Sequence, residues 1–293
     1  MRSIIVVFCL SVYILNAQTT NDTRLIQLQI DNDVLAPYDE DNYYTSGLFL
    51  AYRQSASNFL WWHAQPGENL FINADIKHQM YVPLYPNSEY LRGYDRPFAG
   101  WLATGLKINK ISEKNVWLYG IALGVTGEAS RAKELHQGFH DFAGVSENPL
   151  WIDQIPSGLM GNVEFGYGYL WNPSVLWTSK TVVGTKDVYL ETGLTGLYNI
   201  SYKEYLMPTT PKWFLMVGAD YRLVGYDALL QGSVWNNDAP LTRDPSRNML
   251  FCKLGVGWLG KGFSMQYVFN TTTKRTEKAQ NHTYGTLIFQ FRL

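Results

Sequence analysis

The sequence has little cysteine, no long apolar run after its first residues and almost no net charge. Of its two cysteines, Cys9 falls within the opening stretch MRSIIVVFCLSVYILNA. That stretch reads as a secretory signal, with basic Arg2, an apolar segment from Ile4 to Leu15 and small Ala17 before a cleavage point at Gln18. Removing residues 1–17 leaves one domain, 18–293, and Cys252 alone, which excludes an intramolecular disulfide. The leading apolar segment is short of the ~20 residues that span a bilayer. Nothing later is apolar for as long, so no transmembrane helix is expected. A formal net charge of −1 excludes the basic footprint of a nucleic-acid binder.

What is abundant is aromatic and glycine: 20 Tyr, 14 Phe, 10 Trp and 25 Gly. That composition suits a membrane barrel with aromatic girdles, and equally a tyrosine-rich secreted β-sandwich. Period-two alternation is the stronger signal. Leu159, Val163, Phe165, Tyr167, Tyr169 and Trp171 alternate with Met160, Asn162, Glu164, Gly166, Gly168 and Leu170. The pattern recurs over Trp117–Val125, Trp213–Leu223 and Phe263–Phe269. A single strand of this kind is ambiguous. The aromatic ends of the apolar stripes, and lengths near the ~9–11 residues of a tilted spanning strand, favour the membrane barrel. Leu287, Phe289, Phe291 and Leu293 share one face at the C-terminus. They resemble the terminal assembly signal of bacterial outer-membrane proteins, with Leu293 in place of the usual Phe.

The pattern predicts an all-β chain, a transmembrane antiparallel β-barrel of 12 strands, over roughly 24–33, 45–54, 73–82, 98–109, 115–125, 158–171, 173–184, 187–200, 212–224, 248–259, 262–270 and 283–293. An even count is what a closed bacterial barrel requires. With the N-terminus in the periplasm, the turns at 110–114, 172 and 260–261 come out short on that side. The loops 34–44, 83–97, 126–157, 225–247 and 271–282 come out long on the other. The tight turn near Thr185 and the longer links at 55–72 and 201–211 depart from this sorting. A thirteenth strand over Tyr226–Val234 would break both the even count and the loop pattern.

This topology gathers three polar clusters at one rim: IDND at 30–33, DRPF at 95–98, and the longest non-alternating stretch, Gly124–Trp151. The last holds two of the five histidines, His136 and His140. Thr45, Ser46 and Gly47 open the second strand beside them, and barrel closure brings His282 and Tyr284 near. By residue type alone, His140 reads as a surface histidine more readily than as a catalyst. Standing four apart on a helix, His136 and His140 suit a shared zinc, but no Glu follows in the HExxH manner and no third ligand is evident. Asp31 and Asp33 read as solvated turn formers. Asp95 and Arg96 read as a pair bracing a loop that Pro97 stiffens. The sequons at Asn270 and Asn281 carry no information in a bacterial chain.

Taken in order, IDND, DNYYTSG at 41–47, DRPFAGW at 95–101, a histidine near the end of a helix-like loop and PLWIDQ at 149–154 resemble the outer-membrane lipid A 3′-O-deacylase family. The ordered set is specific where each motif alone is weak, and it covers most of the mature chain. The resemblance implies a twelve-stranded barrel, monomeric, in the outer membrane of a Gram-negative bacterium. It further implies a calcium-dependent esterase that removes the 3′-linked acyloxyacyl group from lipid A of lipopolysaccharide, with its active site facing the outer leaflet. His140 aligns with the catalytic histidine, a base suited to activating water near neutral pH. Ca2+, a hard ion taking six to eight oxygens, would stabilise the oxyanion. Its ligands would be Asp33, Thr45, Gly47 and Glu147. Asn32, and Thr45 beside it, would serve the reaction by orienting the ester carbonyl or a water, and Arg92 and Arg96 would contact substrate. Two departures stand out. The family's glutamate six residues past the histidine falls on Ser146, next to Glu147, and residues 82–94 lack the family's lysine, leaving Arg92 the one cation there. The competing readings are a porin-like channel, if the lumen is unfilled, and a soluble secreted β-sandwich or lectin.

Overall fold

Alternation at period two puts successive side chains on opposite faces of a strand, so an apolar stripe and a polar stripe demand two different surroundings. A computed structural model, which describes residues 23–37, 43–87, 94–144, 149–235 and 238–293, satisfies both by closing the sheet. Its strands are β1 (Arg24–Asn32), β2 (Tyr43–Ala56), β3 (Asn58–Phe59), β4 (Trp62–His63), β5 (Asn69–Val82), β6 (Ala99–Ile111), β7 (Asn115–Thr126), β8 (Leu159–Asn172), β9 (Val175–Gly184), β10 (Asp187–Tyr198), β11 (Lys212–Asp227), β12 (Asn248–Leu259), β13 (Phe263–Thr272) and β14 (His282–Arg292). All but β3 and β4 form one closed antiparallel barrel in which β1 pairs with both β2 and β14. The twelve expected strands are the twelve found. No described helix is long and apolar enough to cross a membrane. The signal segment expected over 1–17 lies outside the described residues.

The two faces separate cleanly. On β8, Leu159, Val163 and Phe165 are 66%, 61% and 46% exposed on the outward wall, whereas Met160 is buried and Glu164 points into the lumen. Exposed leucine, valine and phenylalanine around a cylinder are a lipid-facing belt. The lumen is filled with charge. Glu164 meets Lys107 at 3.1 Å and Lys180 at 3.7 Å, and Lys180 meets Glu191 at 2.9 Å. Arg222 reaches the same Glu191 at 2.5 Å, and Lys253 meets Asp220 at 2.6 Å.

Both mouths hold inserted segments that alternation does not announce. After β11 the chain does not form a thirteenth strand but turns into helix α3 (Ala228–Gln231), capped by Asp227 Oδ1 accepting from Leu229 N at 2.9 Å. Its Leu229 packs among Tyr44, Tyr81, Trp101 and Met160, side chains from the far side of the barrel, so α3 stoppers the mouth that carries the long loops. At the short-turn mouth, the expected link 201–211 contains helix α2 (Tyr202–Leu206), whose Tyr205 donates to Gln266 Oε1 at 3.0 Å inside the barrel. The expected link 55–72 is also shorter than read. The hairpin β3–β4 folds against the lipid-facing wall, packing Phe59 and Trp62 beside Leu70, Ile72 and Ile108.

Candidate functional site

The long-loop rim is built on a row of cross-strand partners. Asn32 pairs with Ser46, Ser46 with Met80, and Met80 with Gly100. Partners across a ladder share a face. On β5 the odd positions Asp75 and Lys77 point into the lumen, so the even ones, and this row with them, face outward. Continuing the β1–β2 register sets Asp33 opposite Thr45. Thr45 is the extra residue of a bulge between Tyr44 and Ser46, a device that re-aims side chains beside functional sites. Tyr43, next to it, adopts a left-handed backbone at φ 56°.

Two segments fold outward over this wall and flank the row. On one side, helix α1 (Ala132–Ala143) follows a 3-10 turn, Gly127–Ser130, that rests on β6 and β7, while α1 itself rests on β6 and β5. The helix therefore advances from β6 across β5, carrying His140 about 12 Å along its axis from Ala132. The wall beneath is shaped to receive it. His78 Nε2 donates to Ser130 O at 2.8 Å, and Ala132 packs with Met80 and Val82. Position 100 has to be glycine, because a Cβ there would lie 2.1 Å from Ser130 Oγ and 2.3 Å from Ala132 Cβ. On the other side, a 3-10 turn at Asp33–Leu35 folds over β14 as far as β13, whose Tyr267 donates to Leu35 O at 2.7 Å. The candidate cleft is the sector of the lipid-facing wall between α1 and the Asp33 turn, with Asn32, Ser46 and Thr45 on the strands that lie between them.

Within the cleft, His136 and His140 are buried with ring centroids 4.5 Å apart, edge to face. Trp151 Nε1 donates to His136 Nδ1 at 3.1 Å, which leaves the His136 proton on Nε2. Trp151 and Asp153 both have φ near 50°, and this left-handed turn aims the indole at the helix. Asn32 Oδ1 and Asp33 Oδ1 both accept from Val34 N at 2.9 Å, which closes the Asp33 turn. The Asp33 carboxylate is 1% exposed. Among the described residues no three His, Cys, Asp or Glu side chains converge. The oxygen donors here (the Asp33 carboxylate, the Thr45 hydroxyl and nearby carbonyls) fit a hard divalent cation such as calcium.

Other expectations need correction. Arg96 does not face the cleft: its guanidinium lies 4.5 Å from the ring of lumen-facing Tyr81, so the barrel wall separates it from any substrate outside. Burial, then the like charge of Arg275, pushes its pKa down to about 10. Asp95 is not a partner dedicated to Arg96 but accepts from Leu84 N at 3.1 Å. Gly47 faces the lumen, where it leaves room for the Tyr44 hydroxyl, and offers a cation only its carbonyl. Neither Asp31 nor Asp33 is solvated. Asp31 is a lumenal brace that accepts from Tyr44 at 2.8 Å, Gln29 at 3.0 Å and Thr286 at 2.9 Å. His282 and Tyr284 sit in the lumen behind it, stacked on each other. Arg92 and Glu147 lie outside the described residues. The sequence reading placed Ser46 at the rim without a role there, and missed the underlay of His78, Met80 and Gly100 and the bond from Trp151 to His136. The phase of alternation carried a signal for the first two; nothing marked the third.

The fold defines a transmembrane β-barrel whose candidate site residues Asn32 and Ser46 stand on the outward wall that meets lipid, not in the lumen. Residues 4–293 match the model of the family described as outer membrane protein LpxR, and the chain belongs to that family. The resemblance read from the ordered motifs is thereby borne out. Among solved structures, LpxR from Salmonella typhimurium is similar with a TM-score of 0.74 at 18% identity, covering 91% of this chain and 99% of that one. At that identity the likeness shows the fold. The β domain of the Bordetella autotransporter Brka is similar only at a TM-score of 0.47 and 10% identity, over 92% of this chain and 98% of that one. No curated protein matches the chain.

Proposed function

We propose that this outer-membrane protein is a calcium-dependent lipid A 3′-O-deacylase working from the lipid-facing cleft, with the long-loop mouth turned to the cell exterior. What supports the reading is that the helix bearing His140 packs on β5 and β6 of the lipid-facing wall, while Asn32, Asp33 and Thr45 stand at the rim on the neighbouring β1 and β2. A pore enzyme would gather its groups inside the lumen. A site on the wall suits a substrate that never leaves the leaflet.

In this reading His140 takes a proton from water as its oxygen attacks the ester carbonyl, and returns a proton to the departing 3′-oxygen of the sugar. The products are the free acyloxyacyl acid and a lipid A with a 3′-hydroxyl. The Asn32 amide orients the carbonyl or the water. Asp33, with Thr45 and main-chain oxygens such as that of Gly47, would hold the calcium, and the undescribed Glu147 belongs to the same proposed set. Bound there, the cation supplies positive charge for the developing oxyanion.

Mass spectrometry of lipid A from cells expressing the wild type and His140→Ala tests the reaction. The wild type should remove the 3′-linked group, and the variant should leave lipid A intact. Lipid A left unchanged by the wild type with calcium present would sink the proposal. The roles separate by titration: Asp33→Ala should raise the calcium concentration needed for half-maximal rate, whereas His140→Ala should lower kcat and leave that requirement in place. Equal calcium shifts in both would refute the division.

A further inference from the structure

The surface that α1 turns away from the barrel is divided along its length. One flank presents Leu135, Phe139 and Phe142, at spacings that align them in one stripe, and they are 53%, 53% and 90% exposed. The opposite flank presents Lys133, Glu134 and Asp141, all exposed. His136 and His140 lie between the two, against the wall. A 90% exposed phenylalanine beside two more large apolar side chains, on a helix whose other face is already packed, has no covering partner among the described residues.

The barrel shows what covers it. The helix stands at the upper edge of the lipid belt and not above it. His78, which the segment leading into α1 covers, pairs on β2 with Leu48, and Leu48 is 51% exposed on the same outward face. Ile76, two residues below His78 on β5, is 52% exposed. Directly beside and below α1, therefore, the wall already faces hydrocarbon. On the far side of the cleft, Val34 of the Asp33 turn is 60% exposed. The helix that carries the apolar flank borders a surface that acyl chains must wet.

We infer that α1 is an interfacial helix whose Leu135–Phe139–Phe142 flank is seated among the acyl chains of the surrounding leaflet, with its Lys133–Glu134–Asp141 flank in the polar layer. Helices divided in this way lie in the plane of the membrane, their apolar side sunk roughly 5–10 Å into the boundary between headgroups and chains. The seating holds the cleft at the depth where ester carbonyls lie, between sugar and hydrocarbon. The placement stands on the barrel geometry; only its consequence for turnover rests on the esterase reading.

Spin labels test the placement without any activity measurement. Single cysteines replace Leu135, Phe142, Lys133 or Asp141 in a Cys252→Ser background, with Leu123→Cys as a reference inside the belt, all in reconstituted phospholipid vesicles. Labels at 135 and 142 should relax with oxygen in preference to a water-soluble nickel chelate, as at 123, and labels at 133 and 141 should do the reverse. A label at 142 as open to nickel as one at 141 would overturn the inference, and the result at 135 decides independently should the Phe142 variant fold poorly. For turnover, Phe142→Glu should cut deacylation in vesicles by roughly tenfold or more, the scale of withdrawing one aromatic side chain from hydrocarbon. In detergent micelles, where substrate reaches the cleft without a fixed depth, the loss should shrink. An equal loss in both media would refute depth-setting, while loss of wild-type activity in both would count against the esterase reading and leave the spin-label result standing.

Discussion

His140 could be picked out by its place in an ordered set of motifs, but what positions its ring could not. Trp151, eight residues beyond the end of α1, donates to His136 at 3.1 Å, and His136 packs edge-on against His140. The pattern has no periodicity and leaves no trace in composition. Trp151→Phe keeps the ring and removes the donor. It should lower kcat several-fold with KM little changed, and Trp151→Ala should lower both kcat and protein yield, since the indole also packs on Phe98 at 5.2 Å. Steady-state kinetics on the two variants decides between a positioning bond and mere packing. Asp31 is the converse case. It looked like a turn residue, yet it is 5% exposed and accepts three side-chain hydrogen bonds across β1, β2 and β14. Asp31→Ala strands the Tyr44 and Thr286 hydroxyls in the lumen and should cost about 1–3 kcal/mol per unsatisfied group. Urea unfolding of the refolded barrel would measure it.

At the scale of elements, strands were legible and the pieces laid against them were not. A strand of nine or more residues repeats its period enough times to be read, and each of the twelve was. Helix α2, helix α3 and the β3–β4 hairpin are too short to show any period, and each is held by contacts distant in sequence. Helix α1 was foreseen as a helix-like loop, but its seat was not. That seat depends on Gly100, since α1 and its leading turn crowd the space a side chain would need. Gly100→Val should lift the segment off the wall while the barrel persists. Limited proteolysis should then cut between Gly127 and Gly144, the heat-dependent gel shift of the folded barrel should remain, and activity should fall with the exposed segment. A variant that resists protease as well as the wild type would show that the helix is held by other means.

For the whole molecule, closure of the sheet decides what the lumen can do. Ion pairs line its wall from Lys107 on β6 round to Lys253 on β12, and Leu229 is seated among Tyr44, Tyr81, Trp101 and Met160 at the long-loop mouth. A twelve-stranded barrel conducts only if its inward side chains leave a path. The purified protein in planar bilayers should give no steady single-channel steps, and regular conductance steps would revive the channel reading. Sequence by itself determined the strand count, the order of long and short connections, the apolar wall and the residue types of the site. These follow from local periodicity and from motifs contiguous in the chain. Tertiary structure alone decided which side of the wall each site residue occupies. Asn32 went out while Arg96 and Gly47 went in, because one residue of register or one bulge turns a side chain from lumen to lipid. Closing the cylinder set β1 between β2 and β14 and brought α1 over β5 and β6, and no stretch of chain records those neighbours.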